Sequence, residues 1–292
     1  MSEKLERASS PYLDGILGDK VPVHNHGHVR VIDYMGDEGA IVQAARVSYG
    51  KGTKTLNEDR GLIRYLLRHK HTTPFEMCVL KLHLKMPIFV ARQWVRHRMS
   101  SMNEYSARYS EMPDEFFFPN GEDILAQSKT NKQGSCGNLD KGVVEAFAQY
   151  TKDTAQGTYE GYQAALQGGV AREMARINLP LSVYTEFYWK IDLHNLMHFL
   201  NLRTDNHAQK EIRDYANPIL DHVAGWMPNV HAAFIDYVKE SETFSKTEME
   251  VLRKLLKDGM YDHVKDALCT ANLPSELSER EKNEFLGKIR GA

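Results

Sequence analysis

The sequence has little cysteine, no long apolar run and almost no net charge, and each shortage excludes a class of protein. The three cysteines, Cys78, Cys136 and Cys269, are too few and too scattered for a disulfide framework, so a reducing cytoplasm is the expected location. No stretch approaches the roughly 20 apolar residues of a membrane span. A formal net charge of −2 offers no overall attraction to nucleic acid or to an anionic membrane, so neither is expected as a partner.

Common nucleotide-binding and nucleophile motifs are missing as well. No G-x-G-x-x-G follows a strand pattern, and no G-x-x-x-x-G-K-S/T occurs in the chain. None of the cysteines has the converging basic neighbours that activate a thiol. A cysteine nucleophile is therefore not expected, and any phosphate site must be built from other groups.

Histidine spacing produces two weak metal patterns. In "HNHGH", alternation predicts that His24, His26 and His28 share one face of a strand. In "HNLMH", His194 and His198 are four positions apart, as in zinc-binding helices, but the accompanying glutamate and the third ligand are missing. A polar strand face and an ordinary helix surface explain both patterns, so no metal site is predicted.

Apolar periodicity predicts an α+β fold that is rich in helices and has one small, mostly antiparallel sheet. "VPVHNHGHVRVIDY" and residues 79–86 alternate with period two and predict strands, whereas residues 142–167 and most of residues 191–236 predict helices. Beyond about residue 240 the composition shifts to charged helices, two of which open with an S-x-x-E capping box. We therefore predict a first domain over residues 1–240 and a helical extension over residues 241–292.

The densest group of polar side chains lies in residues 96–109, "RHRMSSMNEYSARY". It follows a predicted helix that starts at Pro87 and carries Arg92 and Arg96 on one face. Clustered arginines repel one another, so such a group usually binds an anion. The segment has no lysine and interleaves amide, hydroxyl and carboxyl groups, which is untypical of a nucleic-acid patch. The mixture predicts a nucleotide ligand.

The same segment resembles the signature R-H-R-x-x-S-x-x-E-x-S-x-R-Y of the flavin-dependent thymidylate synthases. Every fixed position of the signature is filled, by Arg96, His97, Arg98, Ser101, Glu104, Ser106, Arg108 and Tyr109. Further segments resemble the family in the family order, namely "ARVSYGKG", "RHKHTTPFE", "MPIFVARQWVRHR", "AREMARINLPLSVYTEFYW" and "LMHFLNLRTDNHAQKEIRDYA". The resemblance covers roughly residues 20–240.

This resemblance implies a homotetramer of α+β subunits, with flavin sites where the subunits meet. The implied reaction converts dUMP to dTMP. The one-carbon donor is 5,10-methylenetetrahydrofolate, the hydride donor is reduced FAD, and NADPH reduces the flavin again. The family uses no cysteine nucleophile, in agreement with the lack of an activated cysteine.

The resemblance also implies roles for individual residues. Arg203, in "NLRTD", matches the arginine placed against the uracil ring, where a fixed cation stabilises charge as the base loses its imide proton. His71 matches a mobile histidine at the folate and nicotinamide face. The dUMP-binding positions are matched by Gln93, Arg96, Glu104, Ser106, Ala107, Arg108 and Arg176. The flavin-contacting positions are matched by Ser48, Thr73, Glu76, Arg96, His97, Arg98, Asp192, His194 and His198.

Within this set, Arg108 and Arg176 are the residues expected to bind the phosphate, because a guanidinium binds phosphate through two hydrogen bonds. Ser106 is expected to bind substrate and not to attack it, because no base lies nearby in the sequence. The arginine charges of the segment are expected to be neutralised by bound phosphates and not by protein carboxylates.

Two other functions remain open from the sequence. A nucleotide- or RNA-binding module would use the arginine cluster without catalysis, and it would be colourless. A flavoprotein reductase without methyl transfer would be yellow and would oxidise NADPH regardless of dUMP. The visible spectrum tests the first alternative, and dTMP formation tests the second.

Overall fold

A computed structural model of the chain describes residues 7–47, 56–129, 132–257, 260–270 and 277–290. These residues form two compact units, 1–234 and 235–292. The predicted boundary at residue 240 lies six residues after the end of the first unit, and the division into a first domain and a helical extension stays a prediction. Within the described ranges, no helix is long and apolar enough to cross a membrane.

The first unit contains one sheet of five antiparallel strands in the order β1-β2-β3-β5-β4. In chain order the strands are Lys20–Val23 (β1), Gly27–Met35 (β2), Val79–Pro87 (β3), Ser101–Glu104 (β4) and Tyr184–Asp192 (β5). Strand β3 is central, since His83 lies opposite Arg30 of β2 and opposite Tyr188 of β5. Strand β4 is at the edge and pairs with β5. The predicted α+β class with one small antiparallel sheet is confirmed.

Helices pack around this sheet and outnumber its strands. The α-helices of the first unit are Pro11–Ile16 (α1), Glu38–Arg46 (α2), Leu56–Arg68 (α3), Thr73–Glu76 (α4), Ile88–Trp94 (α5), Lys141–Gln167 (α6), Arg172–Ala175 (α7), Leu193–Arg203 (α8), Lys210–Trp226 (α9) and Pro228–Phe234 (α10). The predicted helix over 142–167 agrees with α6, which ends at Gly168 as its C-cap. Helices α5, α8 and α9 lie against the sheet and bring the residues of the site together.

Alternation along β3 explains which face of the sheet these helices cover. Leu80, Leu82 and Leu84 point to the core and are fully buried. Burial of each such side chain contributes roughly 1.5–3 kcal/mol to the free energy of unfolding. The intervening Lys81, His83 and Lys85 lie on the opposite face and are partly exposed, as the sequence predicted.

The prediction that one helix carries both Arg92 and Arg96 is wrong. Helix α5 ends at Trp94, and Arg96 lies in the turn that follows. The backbone N–H of His97 donates to the Trp94 carbonyl at 3.0 Å, which closes this turn and redirects the chain to strand β4. The arginine-rich segment therefore contains a short edge strand, although no alternation of apolar and polar residues predicts it.

The prediction that three histidines share a strand face is also wrong. His24 and His26 lie in the turn between β1 and β2, and His24 has a positive φ of 56°. Gly27 starts β2, where a Cβ atom would come within 2.7 Å of the Val23 carbonyl oxygen. Only glycine permits that close approach, so the hairpin turns here and His28 alone lies on a strand.

The second unit is helical. Its α-helices are Lys246–Lys257 (α11), Met260–Thr270 (α12) and Glu279–Arg290 (α13). Both predicted capping boxes are present: the Ser245 N–H donates to Glu248 at 2.6 Å, and the Ser278 N–H donates to Glu281 at 2.7 Å. Each serine hydroxyl accepts the reciprocal bond at 3.3 Å, so two of the helix starts were readable from sequence.

Candidate active site

A cluster of aromatic residues fixes the start of the arginine-rich turn. Trp94, the last residue of α5, is fully buried, and its ring lies 5.2 Å from Trp189 and 4.3 Å from Phe199 between centroids. The Trp189 indole donates to the Ser100 hydroxyl at 2.9 Å, and Ser100 donates to the His97 carbonyl at 3.1 Å. The turn is thus tied to the sheet at both ends.

The last residue of α8, Arg203, meets this turn. Its Nε donates to Nε2 of His97 at 3.0 Å, and its Nη2 donates to the backbone carbonyl of Gln93 at 3.3 Å. Residues more than a hundred positions apart in the sequence therefore form one hydrogen-bonded group. Both acceptors are neutral, so they orient the guanidinium without cancelling its charge.

Around this group lies a pocket of about 530 Å³. It collects five of the residues implied by the family resemblance, namely Arg96, His97, Arg98, His198 and Arg203. Sequence reasoning missed four others: Met99, Ile191, Asn195 and Leu202. None of the described residues that line the pocket is acidic, so its interior is electropositive and suited to an anionic ligand with an apolar part.

Burial changes the protonation of the pocket. Desolvation, and after it the nearby charges of Arg203 and His198, lower the pKa of His97 to about 4. Burial also lowers the pKa of Arg203, although an arginine keeps its charge at any ordinary pH. A neutral His97 that accepts at Nε2 carries its proton on Nδ1, which fixes the tautomer.

A second group of predicted residues lies on β4 and the loop after it. The buried hydroxyl of Thr185 donates to one carboxylate oxygen of Glu104 at 2.7 Å, and no described residue donates a hydrogen bond to the other oxygen. Ser106 accepts the backbone N–H of Arg108 at 3.4 Å, and Ala107 is buried. No base contacts the Ser106 hydroxyl among the described residues, and its role in binding stays a prediction.

One arginine of this second group has a carboxylate partner, contrary to the sequence-based expectation. Arg108 forms an ion pair with Glu173 of α7 at 3.2 Å. A parallel ion pair joins Arg172 to Glu111 at 3.8 Å, so two pairs connect the loop to α7. All four side chains are about half exposed, so each pair contributes roughly 0–1 kcal/mol and is easily exchanged. Arg176 follows α7 and is partly buried.

The remaining predicted residues lie outside the pocket. Asp192 is the N-cap of α8 and accepts from the N–H and the side-chain amide of Asn195, at 2.9 and 2.8 Å. His194 occupies the first turn of α8. Helix α4, which carries Thr73 and Glu76, packs against α8, and the exposed His71 precedes it. Ser48 lies outside the described residues.

Two contacts of site residues could not be found from short motifs. Gln93 donates through its side-chain amide to Oε1 of Gln209 at 2.5 Å, across 116 positions. Thr185 reaches Glu104 only because β4 and β5 are neighbours. Asn195 was accessible to sequence reasoning, because an Asp three residues earlier is a typical N-cap signal.

A larger cavity of about 910 Å³ lies between the 119–139 segment, helix α6 and the start of α9. Its wall includes the apolar residues Phe89, Phe117 and Phe147 together with Gln209 and Lys210. Lys210 forms ion pairs with Asp214 at 2.9 Å and with Asp123 at 3.4 Å. This polar segment is therefore one wall of a cavity that borders Gln209.

The described cysteine side chains do not suit nucleophilic catalysis. Cys78 is fully buried and donates from Sγ to the Asp37 carbonyl at 3.4 Å. Burial, and after it the charge of Asp37, raise the pKa of Cys78 to about 12, so its thiol stays protonated. Cys136 is exposed on the 119–139 segment, and neither residue lines the pocket.

Comparison with known proteins identifies the family. Residues 30–229 match the family model Thy1, thymidylate synthase complementing protein. The flavin-dependent thymidylate synthase of Wolbachia pipientis wMel is 51% identical over 257 residues, covering 88% of this chain and 90% of the relative. That of Rickettsia bellii (strain RML369-C) is 50% identical over 276 residues, covering 90% and 94%.

A solved structure agrees with these sequence relatives. The crystal structure of a UMP/dUMP methylase, PolB from Streptomyces cacaoi, bound with 5-Br dUMP, has a TM-score of 0.68 and 32% sequence identity. The match covers 75% of this chain and 99% of the methylase chain. Since the family model matches most of the sequence and half-identical relatives span nearly all of it, the chain belongs to the flavin-dependent thymidylate synthases.

Proposed function

We propose that this protein catalyses the reductive methylation of dUMP to dTMP. The observation that carries the proposal is the pocket in which Arg203 is held by two neutral acceptors, next to Arg96 and Arg98 and without a described acidic residue. A site of this kind attracts an anionic nucleotide and keeps one cation fixed for the reacting base. The relatives named above provide the reaction class.

In this proposal Arg203 stabilises the negative charge that develops on the uracil ring when its imide proton leaves. His97 and the Gln93 carbonyl occupy two of its N–H groups and leave the others for the base. Because the guanidinium is already oriented and partly desolvated, little reorganisation is needed when the charge appears. Methylation then requires no protein nucleophile, and Cys78 with its raised pKa offers none.

The second group of residues binds the rest of the nucleotide. Arg108 and Arg176 bind its phosphate, and the phosphate replaces Glu173 as the partner of Arg108. Glu104, oriented by Thr185, accepts hydrogen bonds from the sugar and base, and the Ser106 hydroxyl donates or accepts one. Gln93, Arg96 and Ala107 complete this set of dUMP-binding residues.

The electropositive pocket fits a flavin dinucleotide, because it combines arginines for a pyrophosphate with the apolar side chains of Met99 and Leu202. When bound there, reduced FAD would supply a hydride, NADPH would reduce the flavin again, and 5,10-methylenetetrahydrofolate would supply the carbon. The residues that would hold FAD are those assigned by the family resemblance, namely Ser48, Thr73, Glu76, Arg96, His97, Arg98, Asp192, His194 and His198. His71 lies at the proposed folate and nicotinamide face.

A homotetramer with shared sites is part of the proposal. Large apolar side chains near both groups of site residues are exposed in the single chain. Met99 is 70% exposed beside the pocket, and Ile177 is 64% exposed beside Arg176. Apolar surface of this kind is typical of contacts between subunits. The cytoplasm is the proposed location, in line with the sparse cysteines.

The test is an assay of the purified full chain. Protein with flavin absorbance should form dTMP only when dUMP, 5,10-methylenetetrahydrofolate and NADPH are all present, and omission of any one should stop it. A yellow protein that oxidises NADPH without forming dTMP would establish the reductase alternative. A protein that binds dUMP but never acquires flavin would establish the binding-module alternative.

A further inference from the structure

We propose that Gln209 is a positioning residue for substrate binding, because it fixes the orientation of the Gln93 side chain. This inference rests on the proposed function. Oε1 of Gln209 accepts from Nε2 of Gln93 at 2.5 Å. Gln93 is on the last turn of α5, and Gln209 directly precedes α9, so the bond joins two helices that contact each other.

Among the described residues, the side chain of Gln209 has no hydrogen-bond partner other than Gln93. Gln209 is the N-cap residue of α9, but its side chain makes no capping hydrogen bond. The usual N-cap residues, Ser, Thr, Asp and Asn, do make such a bond. Its amide therefore remains available to Gln93. The capping position instead fixes its backbone, since the Arg213 N–H donates to the Gln209 carbonyl at 3.2 Å.

The neighbouring residues hold this backbone in place. Lys210 pairs with Asp214 one turn later in α9 and with Asp123 on the 119–139 segment. Hydrogen bonding to Asp214 is the largest of the interactions that raise the pKa of Lys210, which keeps its charge. Arg213 donates from Nη1 to the Asn206 carbonyl at 2.9 Å. The acceptor oxygen of Gln209 thus projects from an anchored helix start.

The bond to Gln209 therefore fixes the orientation of the Gln93 side-chain amide. An amide that donates one N–H to Gln209 presents its own oxygen and its second N–H elsewhere. The backbone carbonyl of the same residue accepts from Arg203 at 3.3 Å. One residue therefore connects the Gln209 contact to the cation proposed to act on the base, and the loss of Gln209 should affect how dUMP is held.

Three variants of the FAD-loaded full-length protein test this inference. Gln209→Leu removes the acceptor at similar size, whereas Gln209→Glu keeps an acceptor that cannot donate. Gln156→Leu is the matched control, because it removes an exposed glutamine that donates to Glu160 at 2.9 Å on helix α6. Calorimetric dUMP binding, KM and kcat for dUMP, flavin absorbance and thermal unfolding are measured for each.

We expect Gln209→Leu to weaken dUMP binding and raise KM about three- to tenfold, the range for one neutral hydrogen bond, with kcat less affected. Gln209→Glu should restore binding, and Gln156→Leu should bind as the unchanged protein does. In a Gln93→Ala background, Gln209→Leu should have no further effect, because the pair then acts as a unit.

Several results would overturn the inference. These are unchanged dUMP binding in Gln209→Leu, an undiminished effect in the Gln93→Ala background, and equal damage from Leu and Glu, which would show that Gln209 does not act as the acceptor. If the unchanged protein forms no dTMP, the proposed function fails instead. The binding measurement still reports on Gln93 and Gln209 in that case, so the two failures are distinguishable.

Discussion

Arg203 and Arg108 are assigned to the same substrate, but their surroundings differ. Arg203 is partly buried, is held by neutral acceptors and has no described carboxylate partner. Arg108 is 58% exposed and is paired with Glu173. The first arginine keeps an uncompensated charge in a fixed position, whereas the charge of the second is balanced until another anion replaces its partner.

This difference fits the two proposed roles, which are catalysis for Arg203 and phosphate binding for Arg108. A fixed, partly desolvated cation acts on charge that appears only during the reaction, where such a group has its largest effect. An exposed ion pair costs little to exchange, so it suits a phosphate that must enter and leave.

Replacement of Arg203 by Ala should reduce dTMP formation by about a hundredfold or more, because one preorganised charge is lost from the transition state. Flavin should stay bound, since Arg96, His97 and Arg98 remain. Arg203→Lys should be only partly active, because an ammonium cannot replace the planar guanidinium between its acceptors. Single-turnover formation of dTMP with flavin absorbance is the measurement, and near-normal turnover of Arg203→Ala would refute the catalytic role.

Replacement of Arg108 by Gln should weaken dUMP binding about ten- to hundredfold, the range for losing a hydrogen bond to a charged group. Flavin content should not change, and the salt dependence of dUMP binding should become shallower. The matched control is Arg172→Gln, which removes the neighbouring ion pair with Glu111 but no assigned ligand contact. Calorimetry at two salt concentrations decides, and equal loss in both variants would contradict the assignment.

Lowering the pH should weaken the contact between Arg203 and His97. The pKa of His97 is lowered to about 4 from 6.5, so the unfolded chain takes up this proton before the folded chain does. The contribution of His97 is therefore complete above about pH 6.5, and stability is lost as the pH falls towards about 4. His97→Gln, with a neutral acceptor that does not titrate, should make the free energy of unfolding less dependent on pH in this window.

His28 provides the control for that experiment. Burial, and after it the charge of Lys20, lower its pKa to about 4 as well, but His28 lies on β2 and does not line the pocket. Replacement of His28 by Gln should change the pH dependence of unfolding without moving the acidic limb of dTMP formation. Denaturant titrations and rate profiles across the same pH range distinguish the effects of the two histidines. A shift of the acidic limb of dTMP formation in the His28→Gln variant would contradict this prediction.

Deletion of the chain after Glu240 should leave both arginine groups functional. All residues assigned to dUMP, FAD or folate precede this point, although thermal stability or assembly should fall because amphipathic helices gain their stability from packing. Flavin absorbance, light scattering and dTMP formation of the truncated protein provide the test. A soluble, FAD-containing tetramer that forms no dTMP would give the deleted helices a part in catalysis.

The smallest effect is expected from sulfur. Changing Cys78, Cys136 and Cys269 together to Ser should leave turnover close to normal, because neither arginine group uses a thiol. The buried Cys78→Ser substitution should cost about 1 kcal/mol of stability. Loss of turnover in any one of the single variants, with fold and flavin content retained, would show that a cysteine takes part.

Much of the fold follows from local pattern, and the exceptions have identifiable causes. Strand β3 alternates cleanly because one face is packed and the other is charged. Strand β5 follows the same rule, but Tyr188 on the outer face is also aromatic and obscures the pattern. Strand β4 has four residues and exists because β5 provides its hydrogen bonds, which no local pattern encodes.

In the candidate site, too, some features follow from local sequence and others depend on tertiary packing. The arginine-rich segment could be assigned to an anion from composition alone, because the physical reason for clustering arginines is local. The contacts of Gln93 with Gln209 and of Arg203 with His97 span 116 and 106 positions, so they depend on tertiary packing. The ion pair of Arg108 with Glu173 was missed for the same reason and changes how its charge is balanced.

The position of β4 at the edge of the sheet has a consequence for synthesis of the chain. Its partner β5 begins at Tyr184, about eighty residues later, and α8 must follow before Arg203 can reach His97. A growing chain that ends before Tyr184 therefore has no strand partner for β4, and one that ends before Arg203 lacks part of the pocket. Such late pairing slows folding and prolongs exposure of unpaired backbone. The site therefore cannot form until the chain has been synthesised as far as Arg203.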